Sequence, residues 1–132
     1  MIDVDIIDRM IALAAVAPFD RLTERELLMV AQHVRPRHFE AGAMLIEQGH
    51  VADMLYVAIG GSALAGTGAG AERAPALFDA PSLLFTLPAA HDYRAGPDGF
   101  DALCLARPYI FTIARECPDF IVGLIDIEAL AR

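Results

Sequence analysis

The sequence predicts an α+β fold in which helices precede and follow an antiparallel β-sheet. Apolar residues recur at helical spacing before Pro18, short apolar runs separated by glycines follow Pro36, and helical spacing returns from Pro108 onward. The order along the chain is helices, strands, helices, with no internal repeat and no clear linker. Because 132 residues can bury one sizeable core but not two, we predict a single domain spanning 1–132.

Periodicity and capping predict the first two helices. Apolar residues at helical spacing cover residues 2–16, and Pro18 ends that helix. Thr23 and Glu26 then form a capping-box pattern, in which each side chain binds the backbone N–H of the other residue. This pattern places the second helix at residues 24–33.

Five short apolar runs predict the strands of an antiparallel sandwich or barrel. They cover residues 43–47, 54–59, 62–65, 82–87 and 101–106. Two helices are predicted after them, at residues 108–116 and 119–130. The last helix has an unusually broad apolar face.

Composition excludes several classes of function. The formal net charge is −8, and the ten basic residues are all arginines scattered along the chain. Nucleic-acid-binding proteins usually present a clustered basic surface, so we expect no nucleic acid partner. Two cysteines do not make a disulfide framework, and the acidic N-terminus does not resemble a secretory signal, so we expect a cytoplasmic location.

A membrane span is also not expected. Residues 54–71 carry no charged side chain and just reach the length of a transmembrane helix. Five glycines make this stretch a poor helix, and strand, turn and strand explain it better.

No pattern indicates catalysis or a bound metal. The glycine-rich stretch 60–70 lacks the following helix and lysine of a phosphate-binding loop, so it predicts hairpin turns and a loop. Residues 60–64, GGSAL, lack the second glycine of a nucleophile elbow. The four histidines do not show metal-ligand spacing. We therefore predict a protein that is not an enzyme and holds no cofactor or metal.

Residues 39–49, FEAGAMLIEQG, and residues 52–62, ADMLYVAIGGS, resemble the first strands of the cyclic-nucleotide-binding domains. The resemblance implies a β-roll or jelly-roll flanked by N-terminal helices and a C-terminal helix pair. Gly42, Gly49 and Gly61 would occupy tight turns, where a side chain is costly. Leu45, Leu55 and Val57 would point into the roll.

The resemblance also implies where a ligand would bind. The family's phosphate-binding cassette contains a Gly-Glu pair and then an arginine that neutralises the cyclic phosphate. Here the corresponding segment is 82–95, in which Phe85 and Thr86 fall near the Gly-Glu pair and no arginine occupies the usual place. The candidate ligand-binding residues are Leu84, Phe85, Thr86, His91 and Arg94. Without the anchoring arginine we expect no tight binding of cyclic AMP.

These observations predict a regulatory or sensory domain that binds a small-molecule effector of unknown identity. The alternative is a ligand-free oligomerisation or partner-binding module. Because the chain ends at Arg132, before the winged helix that the family's transcription factors attach, direct DNA recognition is not expected.

The broad apolar face of the last helix predicts a homodimer, because such a face exceeds what one packed contact normally covers. The family's equivalent helix pairs with its twin across a two-fold axis. The predicted interface residues are Phe120, Ile121, Leu124, Ile125 and Ile127. The alternative is that both faces of the helix are buried within one subunit.

Overall fold

The predicted order of helices and strands is confirmed by the computed structural model, which describes the backbone of residues 4–131 and the side chains of residues 5–124. The helices are α1 (Val4–Ala14), α2 (Glu24–His33), α3 (Ala80–Phe85), α4 (Arg107–Glu116) and α5 (Pro118–Ala131). The strands are β1 (Arg35–Phe39), β2 (Met44–Ile46), β3 (Met54–Ala65), β4 (Glu72–Arg73) and β5 (Tyr93–Ala106). The fold is therefore α+β, with the sheet between the two helical ends of the sequence.

The sheet is organised around β5. Its strand order is β1-β5-β3-β4, and β2 pairs with β5 beside this path. All pairs are antiparallel, and β3 runs along β5 from Met54 opposite Ala106 to Ala65 opposite Tyr93. This long pairing brings the start of β5 close to β4 and the end of β3.

The prediction of a turn at Gly60 and Gly61 is wrong. The backbone continues through both glycines as the single strand β3. The register with β5 shifts on either side of them, and Gly61 has a φ of 65°. Glycine tolerates this left-handed geometry inside a strand. Gly60 and Gly61 therefore mark an irregularity in the β3–β5 pairing and not a chain reversal.

The prediction of a strand at residues 82–87 is also wrong, because this part of the chain begins in helix α3. Pro81 lies in the first turn of α3, where a missing N–H costs nothing. Asp79 and Thr86 flank the helix with φ values of 53° and 58°. A short apolar run does not distinguish a buried strand from a buried helix by periodicity alone.

The capping box predicted for α2 is confirmed. The backbone N–H of Glu26 donates to Thr23 Oγ1 at 3.2 Å, and the backbone N–H of Thr23 donates to Glu26 Oε1 at 2.8 Å. These two bonds satisfy groups that every helix start leaves without an intrahelical partner. Local chemistry thus sets the start of α2 where the sequence predicted it.

The start of α5 packs against the N-terminal helices. The rings of Phe19 and Phe120 lie 5.0 Å apart, and Gly123 leaves room for the ring of Pro18. Phe120 and Leu124 are fully buried in the subunit, and Ile121 is half-buried.

Among the helices of the described residues, none is long and apolar enough to cross a membrane.

These positions bear on the predicted dimer interface. The side chains of Phe120 and Leu124 are buried in the core of their own subunit, so they expose no apolar surface to a partner. Ile125 and Ile127 lie outside the described side chains. The homodimer itself stays a prediction.

A column of aromatic side chains fills the inside of the roll. Tyr93 stacks on Phe78 at 4.7 Å, and Phe78 stacks on Tyr56 at 5.8 Å between ring centroids. Phe39 and Phe100 continue the column from there. The aromatic column joins β1, β3 and β5 to the segment before α3, so that segment is fixed to the sheet.

A surface ion pair links β1 to β5 and makes a pH-dependent contribution to stability. His38 and Asp101 face each other in the strand register, with Nδ1 and Oδ1 2.7 Å apart. The hydrogen bond to Asp101 raises the pKa of His38, and the charges of Asp101 and Glu40 add to this effect. Because the folded-state pKa exceeds the unfolded value of about 6.5, the contribution is complete below that pH. It is lost as the pH rises through the folded pKa.

We expect Asp101→Asn to lower the pKa of His38, because the substitution removes the charge that favours the protonated ring. An NMR titration of the His38 ring protons measures the change. Glu47→Gln is the matched control, since Glu47 pairs with His50 and not with His38. A His38 midpoint that Asp101→Asn leaves unchanged contradicts the assignment of the raised pKa to this pair.

Candidate functional site

A cavity of about 410 Å³ opens where β4, the start of α3 and the start of β5 meet. We call it the Asp79 cavity. It is lined by Ala65, Glu72, Arg73, Ala74, Pro75, Phe78, Asp79, Ala90, His91 and Tyr93. Its volume is within the range of small-molecule sites in proteins.

Asp79 places a carboxylate in the wall of this cavity. The residue is only 2% exposed, and its Oδ2 accepts a hydrogen bond from the backbone N–H of Ala90 at 3.0 Å. Its left-handed backbone is uncommon for a residue other than glycine, and such residues are often found at functional sites. The bond to Ala90 holds the start of α3 against the chain that enters β5.

The remaining walls combine aromatic rings with exposed polar groups. Phe78 and Tyr93 belong to the aromatic column, and the ring of His91 meets the ring of Tyr93 edge to face at 6.2 Å. Glu72 and Arg73 stand on the short strand β4, which pairs with the end of β3. The Asp79 cavity therefore offers apolar faces, two carboxylates, one guanidinium and one imidazole.

Two hydrogen-bond links hold α3 in place below the cavity. Ser82, which is fully buried, accepts from the backbone N–H of Ala52 at 2.8 Å and donates to the carbonyl of Leu87 at 2.6 Å. At the other end, Arg107 Nη2 donates to Thr86 Oγ1 at 2.6 Å. Helix α3 is thus tied to the loop before β3 and to the first residue of α4.

The five ligand-binding residues predicted from the sequence do not come together. Of the five, His91 alone lines the Asp79 cavity. Leu84, Phe85 and Thr86 lie in the last turn of α3 and its C-cap, and Phe85 and Thr86 are exposed. Arg94 is on β5 opposite Leu64 and lines a separate cavity of about 420 Å³. Residues 82–85 are helical, and these five residues do not line one common cavity among those described, so their ligand-binding role stays a prediction.

Sequence reasoning missed most of the cavity. Glu72 and Arg73 form a strand of two residues, too short to produce an alternating pattern. Phe78 and Asp79 precede a helix that was predicted as a strand, and Tyr93 begins β5 eight residues before its predicted start. An acidic residue before a proline at the start of an apolar run, Asp79 before Pro81, was the one local signal of a helix start there.

The two thiols are poor nucleophiles. Burial raises the pKa of Cys104 to about 11. Burial, together with a hydrogen bond to Glu26, raises the pKa of Cys117 to about 12. Thiolates and not thiols are the reactive form, so both side chains serve as packing residues. Among the described residues, no three His, Cys, Asp or Glu side chains are grouped as metal ligands.

Comparison of the structure with solved structures identifies its fold. The regulatory domain of Toxoplasma gondii PKA, crystallised with cAMP, superposes with a TM-score of 0.78 over 97% of this chain and 51% of its own, at 23% identity. The Thermus thermophilus catabolite activator protein gives 0.71 over 86% of this chain and 56% of its own, at 21% identity. This chain thus spans about half the length of those two proteins.

A cyclic nucleotide-binding-like protein from Brucella abortus has a more similar length. It superposes with a TM-score of 0.65 over 82% of this chain and 98% of its own, at 20% identity. No protein-family model and no curated protein matches the sequence. The chain has the fold of the cyclic-nucleotide-binding domains, a β-roll flanked by helices.

Proposed function

We propose that this protein is a regulatory domain whose Asp79 cavity binds a small molecule other than cyclic AMP or cyclic GMP. The fold supports the regulatory role, because the solved structures that share it are cyclic-nucleotide-binding and regulatory domains. Occupancy of the cavity would be passed to the helices through α3, which Thr86 and Arg107 tie to α4. We further propose that the protein is not an enzyme and acts in the cytoplasm.

The observation that carries the ligand proposal is the position of the Asp79 carboxylate. It already accepts the N–H of Ala90, a backbone donor that an anionic ligand would otherwise use. A phosphate in the same cavity would stand beside this buried negative charge. Two like charges about 4 Å apart near a protein surface repel each other by about 4 kcal/mol, which weakens binding by roughly a thousandfold.

We expect cyclic AMP and cyclic GMP to bind weakly or not at all to the wild-type protein in isothermal titration calorimetry. Asp79→Asn keeps an oxygen for the Ala90 N–H and removes the charge, so this variant should bind cyclic AMP more tightly than the wild type. Asp98→Asn is the control, since Asp98 is exposed and does not line the cavity. A micromolar or tighter dissociation constant for the wild type contradicts the proposal.

The second candidate is a ligand-free module that binds a protein partner or a second copy of itself. The aromatic column that fills the roll favours it, and so does the exposed apolar surface at the end of α3. Phe85 is 54% exposed, and Leu87 is also exposed. Val51, a third exposed apolar residue, is joined to this segment by a β-bridge to Pro88. A thermal-shift screen with common metabolites separates the candidates, because only a ligand-binding domain is stabilised.

A further inference from the structure

We infer that this chain binds a second copy of itself through a contact in which Phe111 of one copy inserts into a groove between α1 and the sheet of the other. The contact joins an exposed apolar and basic surface on α4 to an apolar and acidic surface beside α1. It differs from the interface predicted for α5, and it does not depend on whether the Asp79 cavity binds a ligand.

The surface on α4 is one aromatic side chain between two arginines, and we call it the Phe111 knob. Phe111 is 41% exposed, and Arg107 and Arg115 lie one turn before and after it on the same face of the helix. The guanidinium of Arg107 lies 5.5 Å from the centre of the Phe111 ring. Within the described part of the chain neither arginine forms an ion pair, since every ion pair there involves histidine. The knob therefore presents an apolar ring and two cations that no described carboxylate neutralises.

The surface beside α1 is a groove of about 240 Å³ between this helix and the sheet, and we call it the α1 groove. Its lining combines apolar side chains with two exposed carboxylates, and it includes Ala12, Pro36, Ile59 and Leu103 together with Asp5 and Asp8. Small-molecule sites usually have volumes of about 300–1,000 Å³, so this groove is small for a ligand. Its size and apolar lining fit a single aromatic side chain.

The one cation in the α1 groove is engaged within its own subunit. Arg9 Nη1 donates to the carbonyl oxygens of Ala31 and Val34, at 3.5 and 3.4 Å. These carbonyls lie at the C-terminal end of α2, where the helix dipole is negative and offsets the charge of the guanidinium. The α1 groove is therefore acidic, opposite in sign to the Phe111 knob.

Apolar burial and local charge both favour this pairing. Insertion of the knob covers the ring of Phe111 and the exposed side chain of Ile59, and it brings Arg107 and Arg115 towards the carboxylate of Asp8. A symmetric contact between two knobs would instead place arginines against arginines. Two copies of net charge −8 repel each other, but salt screens this repulsion beyond about 8 Å at physiological ionic strength. We therefore expect a weak contact that forms at physiological salt.

Sedimentation velocity in about 0.15 M salt, with protein up to about 1 mM, tests the contact. Phe111→Glu removes the knob, and Ile59→Arg fills the groove with a cation. We expect the wild type to associate as its concentration rises, and each variant to associate roughly tenfold or more weakly. Met44→Glu is the matched control and should behave as the wild type. Met44 is 40% exposed, but it pairs with Arg94 on β5, far along that strand from Leu103 in the groove.

A mixture of the two variants makes the test specific. The Phe111→Glu variant keeps the groove, and the Ile59→Arg variant keeps the knob. An equimolar mixture should therefore form a one-to-one complex, although neither variant associates alone. Circular dichroism establishes that both variants are folded. Asp8→Arg, at an exposed position of α1, takes the place of Ile59→Arg if that variant does not fold.

A wild type that stays monomeric at about 1 mM, or a mixture that forms no complex, would overturn the inference. So would a wild type whose association is unchanged by both variants, and that result would point to the interface predicted for α5. None of these results affects the proposed function, which calorimetry with cyclic nucleotides tests separately.

Discussion

Replacing Leu124 by Glu is expected to unfold the chain. Leu124 is 1% exposed. Its helix, α5, packs against α3 and α4. The substitution removes buried apolar volume, which costs about 2–5 kcal/mol, and it leaves a charge buried without a partner, which costs several kcal/mol more. The sum is comparable with the whole stability of an ordinary domain, about 5–15 kcal/mol.

Val122→Glu is the matched control for this prediction. Val122 lies on the same helix and is 54% exposed, so the new charge stays in water and the stability changes by about 0.5 kcal/mol or less. Circular dichroism melting curves of both variants and the wild type provide the comparison. A Leu124→Glu variant that is folded and monomeric, from a wild type that is dimeric by light scattering, would instead identify Leu124 as an interface residue.

Replacing Gly61 by Ala is expected to destabilise the protein more than the same change at Gly42 or Gly49. All three glycines have positive φ, so each alanine meets backbone strain of about 1–3 kcal/mol. At Gly42 and Gly49 the new methyl group enters open space. At Gly61 it would overlap the carbonyl oxygen of Gly99, so β3 and β5 would have to separate locally.

Urea unfolding of the three alanine variants measures the difference directly. We expect Gly42→Ala and Gly49→Ala to lose about 1–2 kcal/mol and Gly61→Ala to lose about 3 kcal/mol or more. Equal losses at all three positions would mean that the β3–β5 pairing relaxes around the new methyl group without cost.

Local signals in the sequence predicted the helices before and after the sheet well, whereas α3 was predicted as a strand. The capping box at Thr23 and Glu26 predicted α2 with its observed bounds, and the prolines at positions 18, 108 and 118 marked boundaries of the other helices. Caps and prolines act through groups a few residues apart, so a short segment of sequence is enough to predict where they start or end a helix. Gly42 and Gly49, for which the family resemblance implied tight turns, both have positive φ.

The sheet was only partly predictable. Strand β1 was missed because its residues, Arg35 to Phe39, are mostly exposed and polar, and pairing with β5 alone makes them a strand. The same long pairing keeps β3 continuous through Gly60 and Gly61, where the sequence predicted a turn. Hydrogen bonds between distant segments thus overrode local propensity.

The sequence by itself determined the fold class, the helices other than α3 and the family resemblance, whereas tertiary structure alone decided where a ligand could bind. Glu72, Phe78, Asp79, His91 and Tyr93 come from three separate segments, and none has a spacing that indicates a site. They meet because β4 pairs with β3, β3 pairs with β5, and the aromatic column fixes the start of α3 to that sheet. Helix starts depend on neighbours in sequence, whereas a cavity depends on which distant segments the sheet register brings together.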